Sequence, residues 1–537
     1  MQTLVGNRYG SYAAQGIVPS ERPITNAGEA IYYGANDQAL TPNDGLGAAF
    51  NGDKFGFYDT TGTTSYAFYE PDDTTVYSTN DLYVFHALDF ENERYWVGTA
   101  FTTDSAVTWW GPSGKGADPT TPSTGLDISA YLAKFPENQT WYFAHCPSIS
   151  SGNAWGRLDA GQNGYAFAGA KPEGFSDLSA ANLPEVAITD PGAYFETILH
   201  TGTGVEQSVT GVGFQPDFTW IKNRDSTDSH MLFDVIRGTT NVLHSNETAV
   251  EATEAQTLKS FDSDGFTLGT DVQVNTNTED YVSWNWKAGG SGVTNTDGSI
   301  TSTVSVNDDA GFSIVKWTGV GTASNTIGHG LSVAPEMIIT KTRTASIAYN
   351  WNTYHARLDA SSPEDWFVAL NTASARLSYT VANLWDRTKP TNTVFSVNSD
   401  ASAGPSGDEM IAYCFRSIPG YSKVFSYTGN GSTDGSFVWF GFKPRFVMLK
   451  RTDGTGSWQI QDSERDPYNL VGATLWADLS SIEFIYTGTS YTMDFVAGGI
   501  KLRSSNASTN ASGGSYIGIA FAENPFGGSN LPLGLAQ

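Results

Sequence analysis

Tyr194-Phe195-Glu196-Thr197-Ile198-Leu199-His200-Thr201-Gly202-Thr203-Gly204 has the pattern of a β-strand that stops in a turn. Apolar and polar residues alternate along it, which sends one set of side chains inward and the other outward. The pattern returns as Phe312-Ser313-Ile314-Val315-Lys316-Trp317-Thr318-Gly319-Val320-Gly321 and as Tyr421-Ser422-Lys423-Val424-Phe425-Ser426-Tyr427-Thr428-Gly429-Asn430-Gly431. All three end in Thr-Gly-x-Gly, where the glycines are expected to supply the positive φ of the turn.

A second strand follows each opening strand. These strands are Gly213-Phe214-Gln215-Pro216-Asp217-Phe218-Thr219-Trp220-Ile221-Lys222, Val333-Ala334-Pro335-Glu336-Met337-Ile338-Ile339-Thr340-Lys341 and Gly441-Phe442-Lys443-Pro444-Arg445-Phe446-Val447-Met448-Leu449-Lys450, with Pro and Lys six apart in each. Proline is tolerated at a strand's first residue, and the lysine is expected to mark the exit to solvent. An aromatic element closes each copy: Tyr281-Val282-Ser283-Trp284-Asn285-Trp286, Met410-Ile411-Ala412-Tyr413-Cys414-Phe415 and Tyr516-Ile517-Gly518-Ile519-Ala520-Phe521. The first glycines of the turns lie 117 and 110 residues apart (319−202 and 429−319). That period is too long for a solenoid and suits a small β-sandwich.

The sequence therefore predicts an all-β chain: an N-terminal β-sandwich-like domain followed by three tandem β-sandwich-like repeats. The expected divisions are an arm over 1–30, an aromatic-rich β domain over 31–185, and repeats over 190–290, 293–420 and 421–537. Ile418-Pro419-Gly420 is too short to flex, so the last two repeats are expected to stack end to end. Asn295-Thr296-Asp297-Gly298 predicts a hairpin, with Ile300 to Val306 as an edge strand. Asp127 to Lys134 is expected to form one short helix, with Ile128, Tyr131 and Leu132 on one face.

The chain has 29 Lys and Arg against 56 Asp and Glu, a net charge of −27. Such a surface repels nucleic acid and anionic lipid, so neither is an expected partner. Charged residues make up only 16%, with Gly, Thr, Ser and Asn in their place and 13% aromatics, a mixture suited to strands and tight turns. Cys146 and Cys414 lie far apart, which excludes a disulfide framework or a cysteine zinc site, and Cys414 sits in an apolar run that predicts burial. No secretory signal or membrane-spanning apolar run is present, so synthesis in a cytoplasm without a signal peptide, and no membrane insertion, are expected.

The search for chemistry is negative. The seven histidines show no metal spacing. No nucleophile elbow or phosphate loop occurs. Neighbouring acids such as Asp308-Asp309 and Asp408-Glu409 point to opposite strand faces. Asp262-Ser263-Asp264-Gly265 begins like a calcium loop but lacks the later bidentate acid at the right spacing, so it is expected to be a hairpin turn. No cofactor is expected, with a structural calcium at an Asp-rich turn left open. Trp109, Trp110, Trp351, Trp366, Trp385, Trp439, Trp458 and Trp476 include candidates for stacking on sugar rings. Trp439 and Trp458, in the last repeat, are the candidate glycan contacts.

Gly213 to Arg224, Phe233-Asp234-Val235-Ile236-Arg237-Gly238, Ser260 to Gly269, Tyr427 to Gly435 and Gly513 to Phe526 resemble the repeat domains of marine bacteriophage tail-fibre and host-recognition proteins. Upstream, Gly161 to Phe167, Pro172-Glu173-Gly174-Phe175 and Ala181-Asn182-Leu183-Pro184 are similar to the end of a SPRY-like segment. The resemblance implies a virion protein, a tail fibre or receptor-binding protein that mediates adsorption, with no catalytic residue. It implies a homotrimer joined to other virion proteins through its N-terminal region and meeting a host surface glycan or protein. A non-adhesive head decoration or tail spacer and a glycan-depolymerising tailspike are the alternatives.

Overall fold

In a computed structural model of the chain, residues 186–525 are described almost throughout, residues 345, 346 and 401 excepted, together with segments between 85 and 128 and the backbone of further strands in the first 183 residues. The chain forms two compact units, Met1–Leu183 and Pro184–Gln537. Among the described residues both are built of β-strands paired antiparallel.

Among the described residues the first unit contains two sheets. One orders its strands Trp155–Asp159, Gln2–Gly6, Leu82–Asp89, Arg94–Phe101, Thr108–Gly111 and Gly114–Lys115, with Leu126–Asp127 also beside Arg94–Phe101. The other orders Trp141–Pro147, Ala13–Pro19, Leu46–Asn51, Lys54–Asp59 and Ser65–Phe68. Gln2–Gly6 and Ala13–Pro19 thus belong to sheets, and residues 1–30 are not simply an arm. Gln2 pairs with Phe85 and Asp159, and Ala13 with Phe50 and Pro147, all distant in the chain, so nothing local in the sequence announces the pairing. Asp127 ends a strand, and most of the helix expected over 127–134 lies outside the described residues.

The second unit contains the three repeats. Each builds one main sheet in which the closing strand lies between the opening strand and the Pro–Lys strand. In the first repeat the order is Phe195–Thr201, Asp280–Trp286, Phe218–Asn223, Met231–Asp234. In the second it is Phe312–Thr318, Glu409–Phe415, Met337–Thr342, Asn352–His355, and in the third Ser422–Thr428, Ser515–Pro525, Phe442–Arg451, Gln459–Asp462. The second sheet extends past its opening strand with Ser302–Asn307 and then Val293–Asn295, so the expected edge strand is one in from the edge.

The alternation along these strands feeds two cores. One set of side chains enters a single cluster shared by all three repeats. It includes Phe218, Trp220, Trp284 and Trp286 from the first, Ile339, Trp351, Tyr413 and Phe415 from the second, and Phe446, Met448, Trp458, Ile519 and Phe521 from the third. The other set packs on a small outer sheet within each repeat, as Ile221 with Phe266, Ile338 with Phe395, and Val447 with Ile500. Strands buried on both faces explain why the closing elements read as continuous apolar runs. They also overturn the end-to-end stack. A sheet whose inner face carries Trp284 and Trp286, or Ile519 and Phe521, must bury that face, and here the other two sheets cover it.

The repeated turn separates the roles of its two glycines. Gly204, Gly321 and Gly431 have φ of +69°, +67° and +70°. Gly202, Gly319 and Gly429 do not. A Cβ on them would lie 2.1, 2.2 and 2.3 Å from the carbonyl oxygens of Thr276, Pro405 and Ala511, so they are needed for close backbone approach. Asp262 pairs with Gly265 in the expected two-residue hairpin. Pro216 and Pro335 precede their strands, whereas Pro444 sits in its strand at a bulge.

Candidate functional site

The three Pro–Lys lysines are not at the exits to solvent. Lys222, Lys341 and Lys450 are buried. Lys341 Nζ donates to the carbonyls of Thr248, in the first repeat, and Tyr349 at 2.7 and 2.6 Å. Lys450 Nζ donates to Ala373, in the second repeat, and to Arg451 and Gly456 at 3.2, 2.8 and 2.7 Å. Lys222 Nζ donates to Asn223 and Ser226 at 2.5 and 3.1 Å. Loop carbonyls without a ladder partner need donors, and a long amine reaches several at once. Burial pulls all three amines down to about 8.

A ring of equivalent bonds joins the repeats. Trp351 Nε1 donates to the His244 carbonyl at 2.8 Å, and Trp458 Nε1 to the Ala369 carbonyl at 2.9 Å. His230 takes the same place in the first repeat, with Nε2 2.9 Å from the Trp476 carbonyl while Nδ1 accepts from Trp220 Nε1 at 2.8 Å. This histidine is neutral, its pKa held well below the ordinary value by burial. The backbone closes the same circle: Glu251 N to Arg343 O at 3.0 Å, Arg376 N to Thr452 O at 2.9 Å, and Glu483 N to Arg224 O at 2.8 Å. Arg343 pairs with Glu251 and Arg224 with Glu483 at 2.6 and 2.8 Å. First binds third, second binds first, and third binds second, which is a closed pseudo-threefold ring.

Groups that look catalytic by type are part of this ring. Tyr413 Oη donates to Asp234 at 2.8 Å, and Asp234 also holds Arg237. All three are buried, and burial drives the Tyr413 phenol well above its usual range. Trp284 Nε1 donates to Asp462 at 3.0 Å in the counterpart contact, where Arg465 pairs with Asp462 at 2.6 Å. On the ring's axis lies a cavity of about 20 Å³ lined by apolar atoms of Trp220, Trp286, Trp351, Tyr413, Phe446 and Phe521 among others. A pocket that small with no polar lining offers water no partner.

Trp458, expected as a glycan contact, is 0% exposed in the shared core, so its ring faces cannot reach a sugar. Trp351 is buried in the same way, and Trp385 and Trp109 are nearly so. Trp439 is half-buried on the outer sheet of the third repeat, where Val438 points inward and the neighbouring Phe437 and Trp439 point away. Its indole packs over Gly498, where a Cβ would lie 2.1 Å from the ring. Cys414 is buried as expected, and burial pushes its thiol up to about 12. Among the described residues no group of three His, Cys, Asp or Glu side chains could hold a metal ion. Asp264 accepts from the Gly211 and Gly213 amides at 3.2 and 2.7 Å, and Asp262 from Ser260 and Thr267 at 2.7 Å each.

The open aromatic surface lies at the far edge of the third main sheet, on residues of which the sequence singled out Trp476 alone. Beyond Gln459–Asp462 this sheet continues with Ala473–Trp476 and ends with Phe484–Ile485. Trp476, Phe484, Tyr486 and Tyr491 form a ladder of rings. Centroids are 5.8 Å apart for Trp476 and Phe484, 6.1 Å for Phe484 and Tyr486, 4.9 Å for Tyr486 and Tyr491, and 5.9 Å for Trp476 and Tyr491. Phe484 is 48% and Ile485 69% exposed, and Tyr468, Leu470, Leu479 and Ile482 in the same segment are also exposed. Tyr491 has a φ of +59°, and its carbonyl accepts from Gln459 and Gln461 Nε2 at 2.9 and 3.0 Å. These two buried amides hold the left-handed turn that brings Tyr491 back to the ladder. In the sequence, Phe484-Ile485-Tyr486 is indistinguishable from a short core strand.

These features define a single all-β unit of three interlocked repeats with an aromatic surface at one edge. A family described as a domain of unknown function (DUF7483) matches residues 190–525, and the chain belongs to that family. The match spans all three repeats as one domain, the extent over which the core is shared. No curated protein and no solved structure matches the chain. No helix among the described residues is long and apolar enough to cross a membrane.

Proposed function

We propose that the chain is a bacteriophage virion protein, a tail fibre or receptor-binding protein that mediates adsorption to the host cell surface. The observation that carries this reading is the division of labour in the repeats. Buried lysines, arginines, carboxylates and ring nitrogens join the repeats, while Phe484 and Ile485 stand exposed at the sheet edge. That is the design of a stiff module that presents a binding surface. No reaction is assigned to it. The N-terminal region is the proposed attachment to other virion proteins. The threefold arrangement that fibres build from three chains is approximated here within one chain, so adhesion by this unit does not require the homotrimer. Antibodies raised against residues 184–537 should label intact particles at the tail, and the purified protein should bind host cells and compete with infection. Particles without label, or cells without bound protein, would refute the proposal.

A further inference from the structure

The three main sheets carry the same extension at the same edge, and this provides an internal comparison. His244, Ala369 and Trp476 hold one position, each offering the carbonyl that meets a neighbouring repeat's ring nitrogen. Eight residues on from each, Ala252-Thr253-Glu254, Leu377-Ser378-Tyr379 and Phe484-Ile485-Tyr486 occupy one position. The backbone bonds agree: Glu254 N to Thr240 O, Tyr379 N to Asp365 O, and Tyr486 N to Gly472 O, at 2.8, 2.8 and 3.0 Å. In the first repeat the position is small and polar. In the second, aromatic faces are present but capped, with Arg376 over Trp366 at 4.0 Å and Arg387 over Tyr379 at 4.2 Å, Arg387 itself held by Asp365 at 2.8 Å. Only the third exposes Phe484 and Ile485 beside the ring ladder. One backbone geometry is satisfied by Ala-Thr-Glu, so the fold does not require Phe-Ile-Tyr.

The chemistry of the surface points to its ligand. Between Pro467 and Thr492 the only charged residues are Asp478 and Glu483. Both side chains are turned inward: Asp478 accepts from the Trp458 amide at 2.8 Å, and Glu483 pairs with Arg224 and Arg465 at 2.8 Å each. What faces outward is uncharged on a chain of net charge −27: rings and aliphatic groups, then the hydroxyls of Tyr468, Thr487 and Thr489. Aromatic faces take the C–H face of a pyranose, and hydroxyls at the rim exchange hydrogen bonds with its own. A second copy of the chain would bring another 27 negative charges, which opposes self-association.

We infer that the terrace formed by Phe484, Ile485, Tyr486 and Tyr491, backed by the buried ring of Trp476, is a binding site for an uncharged saccharide. The inference rests on the adhesive reading and names the ligand class for it. The test is affinity electrophoresis of the full chain in gels containing dextran, mannan or xylan, with alginate as an acidic control. At least one neutral polysaccharide should retard the protein. Grafting the first repeat's residues, Phe484→Ala with Ile485→Thr and Tyr486→Glu, should weaken that retardation about tenfold or more. The milder Phe484→Ala should weaken it in the same direction, and serves where the triple variant has a shifted unfolding midpoint. No retardation by any neutral polymer, retardation by alginate alone, or retardation unchanged in Phe484→Ala would overturn the inference. So would a concentration-dependent dimer that Phe484→Ala abolishes. None of these outcomes bears on cell binding through a protein receptor, which the particle and cell experiments address.

Discussion

Trp458 of the third repeat gives its indole N–H to the carbonyl of Ala369 in the second, across 2.9 Å inside the shared core. Trp351 does the same to His244 of the first repeat, and His230 to Trp476 of the third. The contact is thus a repeated device, and the residues that carry it are structural.

Trp458→Ala should cost about 3–5 kcal/mol, the range for removing a buried aromatic side chain. Trp458→Phe keeps most of the volume but leaves the Ala369 carbonyl without that donor, and should cost about 1–3 kcal/mol. Urea unfolding checks both through the midpoint, with the slope unchanged.

The unit 184–537 should unfold in one transition. Its three main sheets cover one another's inner faces, so a repeat alone retains only the smaller core under its own outer sheet. Calorimetry should give one peak for the unit, and residues 421–537 expressed alone should show no cooperative unfolding. Three separable transitions would contradict the shared core.

The two glycines of each turn should respond differently to alanine. Gly429→Ala places a Cβ 2.3 Å from the Ala511 carbonyl oxygen and must move backbone, at a cost of about 3 kcal/mol or more. Gly431→Ala meets a φ of +70° and should cost about 1–2 kcal/mol. Denaturation midpoints order the two variants.

Stability should rise with pH above about 8. Burial pulls the amines of Lys222, Lys341 and Lys450 down to about 8, from an unfolded value of about 10.4. Between those values the unfolded chain binds more protons than the folded one, so raising the pH favours the fold. Measurements belong below about pH 9.5, because buried tyrosines such as Tyr413 and Tyr421 keep their protons in the fold and reverse the trend near pH 10. Urea midpoints at pH 8 and 9.5 should differ in this direction, and less so in Lys450→Met.

The threefold repeat and its strands were legible in the sequence because alternation, Thr-Gly-x-Gly and the Pro–Lys spacing are local. The candidate contacts were not, because they depend on what lies across the core. Trp439 and Trp458 are the same residue type in the same repeat, yet one faces outward beside Val438 and the other is enclosed by the second repeat. Lys450 looked like a solvent exit because its strand ends there, but Ala373 of the second repeat and Gly456 of its own loop enclose it. Phe484-Ile485-Tyr486 carries no local signal that marks the edge of a sheet, because an edge is defined by which strands pair.

By itself, the sequence determined an all-β chain with three copies of one strand plan, since period-two alternation and glycine turns act over a few residues. It did not determine that the copies close into a ring. That arrangement was decided by tertiary structure: each main sheet is apolar on both faces, and its own small outer sheet covers only one of them. The remaining face is buried by the other two repeats, which fixes where the lysines point and which tryptophans are enclosed.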